Sequence, residues 1–232
     1  RLGTAMTNLA LRLRLPVEGL IRATVFDHFC GGINEVDCLP IIDQMYGCGV
    51  RSILDYSVEG KENESQFESA MQKKLQVLDF VAEKEAIPFA VFKPTALGRF
   101  GLFEKKGSGA PLTAAEQAEW QRLVNRVDRI CKKAYGLGVS LLIDAEESWI
   151  QDAIDEIALI MMHRYNQERP IVYNTAQMYR HDRLDYIKKL HQQSIEENFF
   201  VGLKLVRGAY MEKERARAAR KALPSAGPPW AE

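Results

Sequence analysis

The sequence predicts an α/β protein assembled from five successive βα units. Three observations carry this. Short apolar runs alternate with segments of helical spacing from Arg51 to Ala222. The runs lack a polar face, as strands of a parallel sheet covered by helices on both sides do. They recur every 30 to 50 residues or so, the spacing a strand–helix–strand crossover requires. Five such units fit either an open doubly wound sheet or a (βα)8 barrel of ~250 residues that has been cut short. No G-x-G-x-x-G follows the first strand, so a Rossmann dinucleotide site has no support.

The elements follow in order. Asp37 to Tyr46 has the spacing of a short helix, ended by Gly47-Cys48-Gly49. Arg51 to Val58 is β-rich. Glu64 to Lys84 carries Phe67, Met71, Leu75, Leu78 and Val81 at helical spacing. Phe89 to Thr95 is a strand cut at Pro94, and Leu97 to Pro111 reads as a Gly- and Lys-rich loop. Thr113 with Glu116 three residues on forms a capping box, opening a helix that runs to about Tyr135 and stops at Gly136. Strands are expected over Val139–Asp144, Pro170–Thr175 and Phe199–Val206. Helices are expected over Ser148–Tyr165, Asp182–Asn198 and Glu212–Ala222, the last a solvated charged face. Met161-Met162 reads as core filler. Residues 1–35 read as a leading segment, 36–222 as the barrel, and the Pro/Gly-rich 223–232 as a tail or truncation scar.

Composition removes several function classes. Acidic and basic residues balance at 31 each, giving no net charge, which argues against a nucleic-acid binder that works by neutralising phosphates. No apolar run approaches the ~18 residues of a membrane helix. The four cysteines, Cys30, Cys38, Cys48 and Cys131, form no C-x-x-C pair, and with only four His a metal site is not expected. Reduced thiols and a cytoplasmic compartment are the expectation. The chain begins at Arg1 and shows no signal peptide, so the first residues of a longer product are expected to be missing.

Ligands of parallel α/β folds bind beyond the carboxyl ends of the strands. The polar residues expected there are Asp55 and Ser57; Lys93 and Thr95; Asp144, Glu146 and Glu147; Asn174, Thr175 and Gln177; and Lys204, Arg207, Gly208 and Tyr210. Each has a bland reading. Lys93 could reach water from a strand end, Asp144 could cap the following helix, and Asn174 could serve a turn. Lys204 is harder to dismiss, because alternation puts it opposite Leu203 and Leu205, inside an apolar run. On a lumen face it would meet Asp144 or a ligand; a lone charge there costs several kcal/mol, roughly.

Taken together and in order, these segments resemble the proline dehydrogenase family. Ile143-Asp-Ala-Glu-Glu147 and Lys204-Leu-Val-Arg-Gly-Ala-Tyr210 are similar to two of its signature segments. Phe29-Cys-Gly-Gly, Ile53-Leu-Asp-Tyr-Ser-Val-Glu-Gly-Lys-Glu62, Phe92-Lys-Pro-Thr95 and Tyr173-Asn-Thr-Ala-Gln177 agree as well. The single-chain members look closer than the long bifunctional ones. The resemblance implies a distorted (βα)8 barrel with noncovalent FAD. It implies oxidation of L-proline to Δ1-pyrroline-5-carboxylate, with electrons passed to a quinone and a peripheral membrane association, mitochondrial in a eukaryote. Lys93 matches the lysine that pairs with the proline carboxylate, and Asp144 a strand-three aspartate that orders the site. Val172 and Asn174 match flavin-ring contacts. Lys204 takes a position beside the flavin that is often Arg, and Arg207, Gly208, Ala209 and Tyr210 match further FAD contacts. The family barrel has eight strands and a late helix with paired arginines, whereas five strands are counted here and the match fades after about Ala219. The expectation is therefore a C-terminally truncated fragment. The alternatives are a catalytically inactive barrel fragment and a lyase using Lys93 or Lys204 as a Schiff-base amine.

Overall fold

The computed structural model describes residues 30–55 and 62–221. The chain divides into two units, Arg1–Ser52 and Ile53–Glu232. The described part of the first holds one helix, α1 (Leu39–Gly47), started by Pro40 in its first turn. The expected strand at 51–58 is observed as β1 (Ile53–Leu54); residues 56–61 lie outside the described residues, as do 1–29 and the expected tail.

The second unit alternates strand and helix as expected. After β1 come α2 (Glu64–Val81), β2 (Phe89–Phe92), a 3₁₀ turn (Pro94–Ala96), α3 (Phe100–Gly107), α4 (Ala114–Leu137), β3 (Ser140–Ile143), α5 (Ser148–Tyr165), β4 (Val172–Gln177), α6 (Arg183–Glu196), β5 (Leu203–Val206) and α7 (Met211–Lys221). All neighbouring strands pair in parallel, in the order β1-β2-β3-β4-β5. A doubly wound sheet reverses its order at a switch point. This one never does, so the barrel-type progression is the one adopted.

Local chemistry sets the ends. Asn63 caps α2 by accepting from the Gln66 amide at 3.0 Å. Thr113 and Glu116 form the expected capping box of α4. That helix continues past Gly136 and ends on Gly138, whose φ of +68° is the left-handed conformation a helix stop uses. The segment 97–111 corrects the expected loop: α3 packs against α5 and buries Leu102 and Phe103 completely. Ion pairs Arg99–Glu119 at 2.8 Å and Lys105–Glu116 at 2.6 Å tie its two ends to α4.

Register fixes which side chains share a face. On the helix-facing side lie Ala90 and Phe92, Leu141 and Ile143, Val172 and Ala176. They are buried against Ile150, Ile154, Ile157 and Met161 of α5 and its neighbours; Met161 and Met162 are core residues, as expected. Each fully buried Val, Leu, Ile, Phe or Met among them contributes about 1.5–3 kcal/mol. On the opposite, inner side lie Phe89 and Val91, Leu142, Tyr173, Thr175 and Gln177, and Lys204. Phe89 and Tyr173 touch edge to face across β3, with ring centroids 5.6 Å apart.

β4 and β5 approach unusually closely. A Cβ at Gly202 would sit 2.4 Å from the Val172 carbonyl oxygen, so this position takes glycine for lack of space.

Candidate active site

The strand ends bring three of the expected charges together. Lys93 follows β2, and because it precedes Pro94 its backbone is held extended (φ −95°, ψ 128°). Asp144 follows β3, its amide donating to the Phe92 carbonyl at 3.0 Å. Lys204 lies in β5 opposite Thr175, so its side chain rises from the inner face. The Lys204 ammonium donates to Asp144 Oδ1, and Lys93 Nζ stands 3.8 Å from Asp144 Oδ2. All three side chains are mostly buried. One carboxylate thus faces two ammonium groups, leaving a local excess of one positive charge.

A second row lies next to the first. Glu146 accepts from the Thr95 amide at 3.0 Å and from its hydroxyl at 2.6 Å. Thr175 Oγ1 donates to the Ile143 carbonyl at 2.8 Å. Gln177 Nε2 donates to the Glu146 carbonyl at 2.5 Å, while its Oε1 is buried with no partner among the described residues. Burial pushes the Glu146 carboxyl up to about 7; the Thr95 hydrogen bonds oppose that rise, and the Glu147 charge adds to it.

Behind these ends, the family sequence model of proline dehydrogenase matches residues 38–227. The chain belongs to the proline dehydrogenase family. CarD of Pectobacterium carotovorum subsp. carotovorum, a carbapenem antibiotics biosynthesis protein, is 35% identical over 198 residues, 85% of this chain and 53% of CarD. Mitochondrial proline dehydrogenase 1 of Arabidopsis thaliana is 29% identical over 242 residues, 87% of this chain and 48% of the relative. The chain thus spans about half the length of these relatives. The crystal structure of proline utilization A from Bdellovibrio bacteriovorus, inactivated by N-propargylglycine, superposes with a TM-score of 0.75 at 16% identity. That superposition covers 90% of this chain and 23% of the other. The parallel α/β barrel-type fold is therefore shared.

Within this proline dehydrogenase-family fold, the remaining expected residues fall as follows. Asp144 does not cap α5, since that position is Glu147. Val172 and Asn174 do not reach the inner face. Val172 is fully buried on the helix side, and the Asn174 amide donates to Asp155 Oδ1 and the Tyr186 hydroxyl, each at 2.8 Å. Their odd register with respect to Thr175 is the reason; Thr175 and Gln177 are the β4 residues on the inner face with Lys204. Arg207, Gly208 and Ala209 are exposed between β5 and α7, and Tyr210 carries the Lys213 ammonium 5.1 Å from its ring centroid. The α7 face, expected from its charge to be solvated, is not wholly so: Glu214 is buried and accepts from the Ser148 amide and hydroxyl at 2.7 Å each. Lys74 of α2 was given no role by sequence reasoning. It is buried, its ammonium is 3.7 Å from Asp55, and burial pulls its pKa down. Its position three residues after Met71 and four before Leu78, within the apolar stripe, is the signal that marks it.

Among the described residues no group of three or more His, Cys, Asp or Glu is placed to hold a metal ion, and no helix is long and apolar enough to cross a membrane. All four cysteines are free.

Proposed function

We propose that this chain contributes the strand-two, strand-three and strand-five parts of a site that oxidises L-proline to Δ1-pyrroline-5-carboxylate with FAD. The observation that carries the reading is the convergence of Lys93 and Lys204 on Asp144 at the carboxyl ends of the strands. The residues present fit a flavin. The buried Gln177 Oε1, without a partner among the described residues, suits a ring N–H donor, and the Lys204 ammonium suits the side of the ring that gains negative charge on reduction. Arg207 to Tyr210 supply an exposed backbone and a cation for the rest of the cofactor. Bound FAD would supply the acceptor for a hydride leaving the carbon beside the proline nitrogen.

The chain's own residues do the positioning. Lys93 pairs with the substrate carboxylate and so fixes which carbon faces the acceptor. Asp144 keeps both ammonium groups from repelling each other and sets their separation. The excess positive charge favours a ligand whose net charge is negative or whose carboxylate points inward. Electron transfer onward to a quinone, at a membrane surface or in mitochondria, belongs to the same reading. Its support is the family match and the mitochondrial names of several relatives.

The test is flavin absorbance of the purified full-length parent, followed during addition of L-proline without oxygen. Proline-dependent bleaching is expected; a flavin-loaded protein that proline leaves yellow would reject the reading. Borohydride trapping with a carbonyl substrate separates the Schiff-base alternative, and no adduct is expected.

A further inference from the structure

We infer that Glu146 is the positioning residue for Lys93, acting through Thr95, an inference that rests on the proline-oxidising reading of the site. Lys93 has a fixed point on each side. Before it, Phe92 is locked in the sheet, paired with Ile143 and accepting from the Asp144 amide at 3.0 Å. After it, Pro94 fixes its own φ and opens the 3₁₀ turn. The first amide of that turn, Thr95 N–H, has no partner inside the turn and donates to Glu146 at 3.0 Å. The Thr95 hydroxyl donates to the other oxygen of the same carboxyl at 2.6 Å. Two bonds from one carboxyl group therefore clamp the residue two places beyond Lys93.

Glu146 is itself held. It is 5% exposed, its amide donates to Gln151 Oε1 at 3.2 Å, and its carbonyl accepts from Gln177. The result is two parallel rungs between the ends of β2 and β3. Lys93 with Asp144 is the rung that meets substrate, and Thr95 with Glu146 is the rung that sets its spacing. Releasing the second rung frees the Lys93 backbone to swing on one side only. The ammonium then spends less of its time where a carboxylate can be met, while the rest of the sheet stays paired.

The experiment compares Glu146→Ala, Glu146→Gln, Thr95→Val and Thr95→Ser in the full-length parent. It reads KM and kcat for L-proline, flavin content, and the NMR signal of Lys93 after reductive ¹³C-methylation. Glu146→Ala is expected to raise KM by about tenfold with flavin content retained, and to shift the Lys93 signal. Glu146→Gln, whose amide can accept from the Thr95 amide and donate to its hydroxyl, is expected to stay within about threefold of the parent. Thr95→Val should raise KM severalfold and Thr95→Ser restore it. If Glu146→Ala does not fold, the Thr95 pair decides. Unchanged KM and an unmoved Lys93 signal in these variants, or a Gln variant as damaged as the Ala variant, would overturn the inference. A parent that neither binds nor oxidises proline would reject the functional reading instead; the Lys93 signal would still decide whether the clamp sets that lysine.

Discussion

Asp144 is the one carboxylate shared by Lys93 and Lys204, so its removal leaves two like charges facing each other in a half-dry site. Asp144→Ala is expected to abolish most proline turnover while the far-ultraviolet circular dichroism stays that of the parent; unchanged turnover would refute its role. Lys93→Ala is expected to raise KM for proline by the equivalent of about 2–5 kcal/mol, the cost of breaking a buried charge pair, with less effect on flavin content. Equal loss of FAD and substrate would move Lys93 to the cofactor. Glu146 adds a pH signature. Its carboxyl is raised from 4.5 to about 7, so between those values the folded protein holds a proton that the unfolded chain releases. Stability is therefore expected to fall as pH rises through that window, and Glu146→Gln should remove that part of the slope in urea titrations at pH 5 and pH 8. Much of this site was legible in the sequence. Lys204 stood out because a charge between two leucines in an apolar run must face something. The side that Asn174 faces was not legible, because β4 is buried on both sides and such a strand has no alternation to reveal its register.

At the scale of elements, Asn166 joins what the strands leave open. Its Oδ1 accepts from the amides of Ile171 at 3.0 Å and Val172 at 2.8 Å. Its Nδ2 donates to the carbonyls of Val172 at 2.8 Å and Phe200 at 2.9 Å. This fully buried side chain ties the end of α5 to the approaches of β4 and β5. Asn166→Ala leaves several buried backbone groups unsatisfied, at about 1–3 kcal/mol each. The expected result is a drop of roughly 3 kcal/mol or more in unfolding free energy by denaturant titration; a drop under about 1 kcal/mol would mean water replaces the amide. The long helices were readable because caps and apolar stripes agreed, as at Thr113 and Glu116. α3 was not, because eight residues with two glycines and two lysines carry too little periodicity. Its formation depends on docking Leu102 and Phe103 under α4 and α5, a tertiary fact with no local signal. Glu214 was hidden for the same reason: a charged helix looks solvated until another helix end needs its carboxylate.

For the molecule as a whole, the succession of five strand–helix units was legible from their spacing, whereas the choice between a doubly wound and a barrel-type sheet needed the observed strand order. β5 has only β4 as a partner among the described residues, and Leu205 is 62% exposed. A strand edge of this kind pairs with other chains. The 232-residue polypeptide prepared alone is expected to associate as its concentration rises and to hold little flavin. Sedimentation velocity checks this, and a yellow monomer at every concentration would contradict it; Leu205→Lys should reduce the association.

The close approach at Gly202 reaches into heredity. Every single-base change that alters a glycine codon without stopping translation installs a Cβ, and here any Cβ collides with the Val172 carbonyl. No gentle missense step away from this residue exists, so the gene has no gradual path by which the fourth and fifth strands could drift apart. Gly136 offers the contrast, because a Cβ there meets nothing within 4 Å. In a library of all single-codon variants, position 136 is expected to accept many residues, and position 202 to return glycine alone.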